Sequence, residues 1–129
     1  MKIEKLFKIT LIASFFLNTA GAATFLPWFR DLRKTGGLPE AGNAFYGFVI
    51  ALFIFLFGIG YLWQALSGTR ERLFITIAAL GKISFALLIM IFVLLGELPL
   101  EAVGSGVPDL VMGIIFAVWL AQTKPHTEK

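Results

Sequence analysis

Cysteine is absent from the chain, which excludes disulfides, thiolate nucleophiles, iron–sulfur clusters and Cys-ligated zinc. Histidine occurs once, as His126 in a polar tail, where it reads as a solvated side chain rather than a metal ligand. Ser14, Ser67, Ser84 and Ser105 have no imidazole inside the apolar segments to act as a base, so a serine-hydrolase triad is not available. Charge is also scarce, at 15% of residues, against about a quarter in soluble domains. Tyrosine is rare beside phenylalanine, two against fourteen. Phe is the aromatic that takes no polar group into lipid.

What remains is apolar. Of 129 residues 58% are hydrophobic and the mean hydropathy is +0.87, so water is not the main solvent. The net charge of +3 does not point to nucleic acid, because the basic residues sit at the ends of apolar runs and form no patch interleaved with aromatics. Gly58 and Gly60 fall inside an apolar run, where packing explains them better than a phosphate-binding loop.

A membrane helix needs roughly 20 apolar residues, and four stretches qualify. The spacing predicts spans from Ile9 to Leu26, Ala44 to Leu66, Leu73 to Leu95 and Val103 to Ala121, forming one four-span domain over residues 1–129. Lys2, Lys5 and Lys8 before the first span, with Ala20, Gly21 and Ala22 near its end, imitate a secretory signal. Small residues also serve helix packing in lipid, and retention of this span is the expectation. The fold class is therefore all-α, an integral membrane four-helix bundle of up-down topology.

Orientation follows from Lys and Arg in the short connections. With the N-terminus inside, one face carries Lys2, Lys5, Lys8, Arg70, Arg72, Lys124 and Lys129, and the other only Arg30, Arg33 and Lys34. Both termini are expected in the cytoplasm. Trp28, Trp63 and Trp119 lie near span ends and read as interfacial belts. In the first outer connection Trp28, Phe29 and Leu32 fall on one side of a helix and Arg30, Asp31, Arg33 and Lys34 on much of the rest, which fits either a short interfacial helix that Gly36 and Gly37 terminate or a plain solvated loop.

Two charges interrupt the spans. Lys82 lies about 13 Å from the start of the third helix and Asp109 about 9 Å from the start of the fourth, at 1.5 Å per residue, so their depths overlap within a lysine's reach. Ser105, Asp109, Gly113, Ala117 and Ala121 recur at every fourth residue, as do Ala78, Lys82 and Ala86, and Thr10, Ser14, Asn18 and Ala22. Small-residue stripes let helices approach closely. Lys82, Asp109 and Asn18 are thus the candidate ligand-binding or coupling residues, either an ion pair fixing helix register or the floor of a polar site. Tyr46, Tyr61 and Glu97 are secondary candidates, since phenol and carboxyl groups also move protons. Glu97 and Glu101, one turn apart at the outer surface, read as solvated carboxylates.

From Tyr46 to Asp109, about half of the chain, the sequence resembles small bacterial four-helix membrane proteins of the DoxX-like kind. The resembling residues are Ile59, Gly60, Tyr61 and Leu62, then Arg70 and Arg72, Gly81 and Lys82, Gly96, Glu97, Leu98 and Pro99, and finally Asp109. The resemblance implies a four-helix bundle in the bacterial inner membrane, in a group that includes a quinone-linked oxidoreductase subunit; an enzymatic role taken from it is analogy at fold level. Small multidrug transporters place a glutamate in the first helix, where this chain offers only Asn18, and the Gly- and Thr-rich break of fluoride channels is missing.

Three functions fit. The leading one is a binding or accessory protein that holds a lipid-like or quinone-like ligand, or a partner helix, against Lys82 and Asp109. A proton- or ion-coupled transporter is the rival, and an intramembrane enzyme on an apolar substrate is the third and less favoured. Expected partners are membrane lipids, an apolar small molecule, and a second copy or another membrane subunit; nucleic acid is not among them. The sequence identifies no cofactor. The charge asymmetry predicts that cysteines placed at Thr127 and at Thr35 react with a membrane-impermeant reagent from opposite sides; labelling of both from the periplasm contradicts the assigned orientation.

Overall fold

The computed structural model describes residues 2–40 and 42–125; His126, Thr127 and Lys129 of the tail lie outside them. Among the described residues all regular structure is helical: α1 (Ile3–Thr24), α2 (Arg30–Thr35), α3 (Ala44–Ser67), α4 (Arg72–Leu94) and α5 (Val103–Gln122), with single 3-10 turns at Pro27–Phe29 and Leu100–Ala102. The segments Ile3–Thr24, Ala44–Ser67, Arg72–Leu94 and Leu100–Gln122 are each long and apolar enough to cross a membrane. This is the make-up of a multi-pass membrane protein.

Three of the long helices match the expected spans to within a residue at each end, but α1 starts at Ile3 rather than Ile9 and carries Glu4, Lys5 and Lys8 on its first turns. A charge-free run marks hydrocarbon, not helix ends, because long charged side chains extend to water while their backbone stays helical. Local signals set the other limits. Asn43 caps α3 by accepting the Phe45 amide at 2.9 Å, and Gly68, at φ 76°, ends the same helix in the left-handed conformation that favours glycine.

Buried faces follow helical spacing: Phe7, Thr10, Leu11 and Ser14 on α1, and Ile75, Ala78, Ala79 and Lys82 on α4. The helices associate as two pairs, α1 along α3 and α4 along α5, joined through α1 and α5, while the α3 and α4 backbones stay apart. Aromatic side chains bridge that separation. Phe74 of α4 stacks on Phe57 and meets Tyr61 edge-on, each at 5.5 Å between centroids.

One tryptophan departs from the belt expectation. Trp28 and Trp63 are exposed, but Trp119 is 3% exposed, stacked on Phe7 at 4.3 Å, with its indole N–H donated to Glu4 Oε1 at 2.8 Å. A carboxylate on the neighbouring helix satisfies the indole, so the ring can turn inward. Arg33 also differs from a solvated loop residue. It is 6% exposed, donates Nη1 to the Thr24 carbonyl at 3.1 Å and lies 3.3 Å from Glu40, tying α2 to the end of α1. On the far side, Ser105 Oγ donates to the Gly36 carbonyl at 2.9 Å and ties the same connection to α5.

The α4 and α5 helices pack closely. A methyl group on Gly113 would stand 2.9 Å from Ile83 Cγ1, 3.1 Å from Lys82 Cβ and 3.3 Å from the Ala79 carbonyl, and one on Gly106 would stand 3.2 Å from Ile89 Cδ1 and 3.4 Å from Ala86 Cα. The two glycines flank Asp109, one turn to either side. Gly113→Leu should therefore destabilise the bundle by about 1–3 kcal/mol or more, the range for overpacking, seen as a lower melting temperature in detergent. An unchanged melting temperature would mean that this stripe does not face α4.

Candidate functional site

Close approach of α4 and α5 brings the two intramembrane charges together. Lys82 Nζ lies 2.6 Å from Asp109 Oδ1, a charge-assisted bond between side chains that are 5% and 20% exposed. The small neighbours explain why this is sterically allowed: Ala79 before Lys82 lies against Gly113, and Ala86 after it lies against Gly106. Each charge alone costs on the order of 2.5–3.5 kcal/mol to place in a membrane helix. Paired, they present no net charge to their surroundings.

Tyr61 completes the cluster. It is buried, and the Lys82 ammonium lies 5.2 Å from its ring centroid, within the range of a cation–π contact. The ring is held by Phe74 at 5.5 Å and Phe116 at 5.7 Å. One helix from each of the two pairs thus supplies the ring and the ammonium, and α5 supplies the carboxylate. Among the described residues neither Asp109 Oδ2 nor the Tyr61 hydroxyl takes part in a hydrogen bond, and neither is a fully buried, unsatisfied atom. Both are open to a further partner.

The other candidates lie elsewhere. Asn18 donates its amide to the Ile54 carbonyl at 2.8 Å and packs where Gly58 leaves room on α3, so it serves the α1–α3 contact rather than the ion pair. Tyr46 is exposed near the start of α3 beside Phe45. Glu97 and Glu101 are exposed in the connection between α4 and α5. Ser14, fully buried, donates to the Met112 sulfur at 3.2 Å. Among the described residues no three His, Cys, Asp or Glu side chains cluster to hold a metal ion.

A second polar cluster escaped the sequence reading. It gathers Glu4, Arg70, Arg72, Trp119 and Thr123 at the end where α1 and α4 begin and α5 finishes. In sequence these residues are scattered over the whole chain; Arg70 and Arg72 read as topology signals and Trp119 as part of an interfacial belt. The one usable hint was Glu4, the lone acid among the N-terminal lysines. Neither described cavity is lined by Lys82 or Asp109: one, of about 440 Å³, lies at this basic end, and the other, of about 350 Å³, is an apolar groove on α3 at Ile59, Leu62 and Trp63.

Comparison with protein-family models, curated proteins and solved structures gives no match.

Proposed function

We propose that the chain is a membrane-embedded binding protein that holds a lipid-like or quinone-like amphiphile at Asp109 and Tyr61, with Lys82 fixing the carboxylate. The observation that carries this reading is the half-used ion pair: Lys82 engages one oxygen of Asp109, which leaves an acceptor on Oδ2, and the Tyr61 ring lies 5.2 Å from the same ammonium with its hydroxyl free to donate. The ligand's hydroxyl or carbonyl oxygen bonds here, and its tail lies along exposed apolar side chains on the face of α4 that carries Phe74, Leu88 and Phe92 among them. The separation of the α3 and α4 backbones supports that placement. A partner helix with a polar side chain at the same depth is the alternative occupant.

Binding fits better than transport, because the pair is closely bonded, at 2.6 Å, and its helices pack tightly around it. The same proposal takes the helices as up-down spans of a bacterial inner membrane with both termini inside, on the charge asymmetry, and the family as DoxX-like, on the residues quoted above. The α2 helix, with exposed Leu32 on it and exposed Trp28 and Phe29 just before it, then rests in the outer face of that membrane.

Photolabelling tests it. An isoprenoid-tailed benzoquinone carrying a diazirine should label α3 and α4 peptides near Tyr61, and the same tail without the head group should not. Loss of one hydrogen bond in a buried site, about 1 kcal/mol, should reduce labelling of Tyr61→Phe about fivefold with the fold intact. Equal labelling by the headless tail, or full labelling of Tyr61→Phe, contradicts the proposal.

A further inference from the structure

The cavity of about 440 Å³ at the basic end of the bundle has Glu4, Arg70, Arg72, Trp119, Thr123 and Lys124 in its walls. Three of these side chains are basic and one is acidic. Glu4 is already engaged, since Oε1 accepts the Trp119 indole at 2.8 Å and Oε2 lies 3.7 Å from Arg70 Nε. Arg70 spends Nη1 on the Gln64 and Thr69 carbonyls, at 2.7 and 3.0 Å, and its guanidinium lies 5.2 Å from the Phe7 ring centroid. One acid and one guanidinium are thereby turned toward each other and toward protein.

Arg72 is held differently. It donates Nη1 to Thr123 Oγ1 at 2.8 Å and Nη2 to the Leu120 carbonyl at 2.9 Å, and its guanidinium lies 5.5 Å from the Trp119 ring centroid. Both acceptors are neutral groups at the end of α5. A guanidinium has five N–H donors, so most of those on Arg72 stay free while its position is fixed. Lys124, beside it in the cavity wall, has no carboxylate partner among the described residues either. The cavity therefore combines a preorganised planar fork, an exposed ammonium, a hydroxyl and an indole wall, with two positive charges that no carboxylate pairs among the described residues.

We infer that this cavity binds a phosphate group, with Arg72 and Lys124 as its charged donors. Arginine's fork matches two phosphate oxygens and lysine adds a point charge. The site lies at the ends of helices long enough to span a membrane, the level at which basic pockets between helices meet lipid head groups. A lipid phosphodiester and free phosphate share this chemistry. The site is separate from the Lys82–Asp109 pair and stands without the function proposed for it.

Native mass spectrometry of the full chain in neutral detergent tests the lipid source, with phosphatidylglycerol compared with a galactosyl diacylglycerol of the same acyl chains, which lacks phosphate. Thermal melting in inorganic phosphate, compared with chloride at equal ionic strength, tests the soluble source. Phosphatidylglycerol should be retained over the glycolipid, and Lys124→Gln should weaken retention about fivefold, the effect of one basic charge near a membrane surface. Arg72→Gln should weaken it at least as much; if that variant fails to fold because α5 loses its clamp, Lys124→Gln suffices, because Lys124 is exposed and makes no hydrogen bond or ion pair among the described residues. A melting temperature raised by phosphate in the native chain and not in Lys124→Gln supports the same site with a soluble ligand. No preference for either phosphate source, or a preference unchanged in Lys124→Gln, overturns the inference.

Discussion

A lysine and an aspartate facing each other across two apolar helices impose more on this bundle than any apolar contact does. Neither charge is tolerable alone at that depth, so α4 and α5 must hold a register that places Lys82 Nζ against Asp109 Oδ1, at 2.6 Å. Glycines one turn either side of Asp109 let α5 approach, and alanines around Lys82 receive it. Once that pair of helices is set, Phe116 and Trp119 of α5 meet Phe7 of α1, at 5.6 and 4.3 Å. Tyr61 of α3 closes over the ammonium at 5.2 Å. Breaking the pair leaves a charge with no partner in the core, which explains why polar and small residues gather on these faces.

At the opposite extreme from this single bond, the basic end of the bundle distributes its charge over helix ends. Arg70 and Arg72 bind main-chain carbonyls in the last turns of α3 and α5, where the helix dipole favours positive charge. Glu4 ties the start of α1 to the same layer through Trp119 and Arg70. One set of residues thus locks four helices at one end and still leaves cationic groups lining a cavity. The other end is held by neutral contacts and by Arg33, whose guanidinium reaches back to Thr24.

Much of the fold was legible because lipid imposes a simple rule: stretches without charge, bounded by Lys, Arg or Glu, must be helices. The rule fixed three helices closely and misplaced the start of α1, where lysines ride on helical turns. Lys82 and Asp109 were readable as neighbours from depth and from four-residue stripes. Asn18 was not, because a stripe gives a face but not which neighbouring helix that face meets; here it meets α3 at Ile54 and Gly58. Tyr61 ranked only as a secondary candidate, since its place over Lys82 depends on how α3 leans toward α4 through Phe74. Trp119 and Glu4 are 115 residues apart, and no periodicity joins them.

The dependence of the bundle on the ion pair is most directly measured by a double-mutant cycle on melting temperature and unfolding free energy in detergent, with Lys82→Met, Asp109→Leu and the combination. An interacting buried pair makes each single substitution costly, about 3–5 kcal/mol, because one charge is left uncompensated, and makes the double substitution much less so. Single losses that simply add, with no recovery in the double variant, would show that Lys82 and Asp109 do not support one another and that the bundle is organised around some other contact.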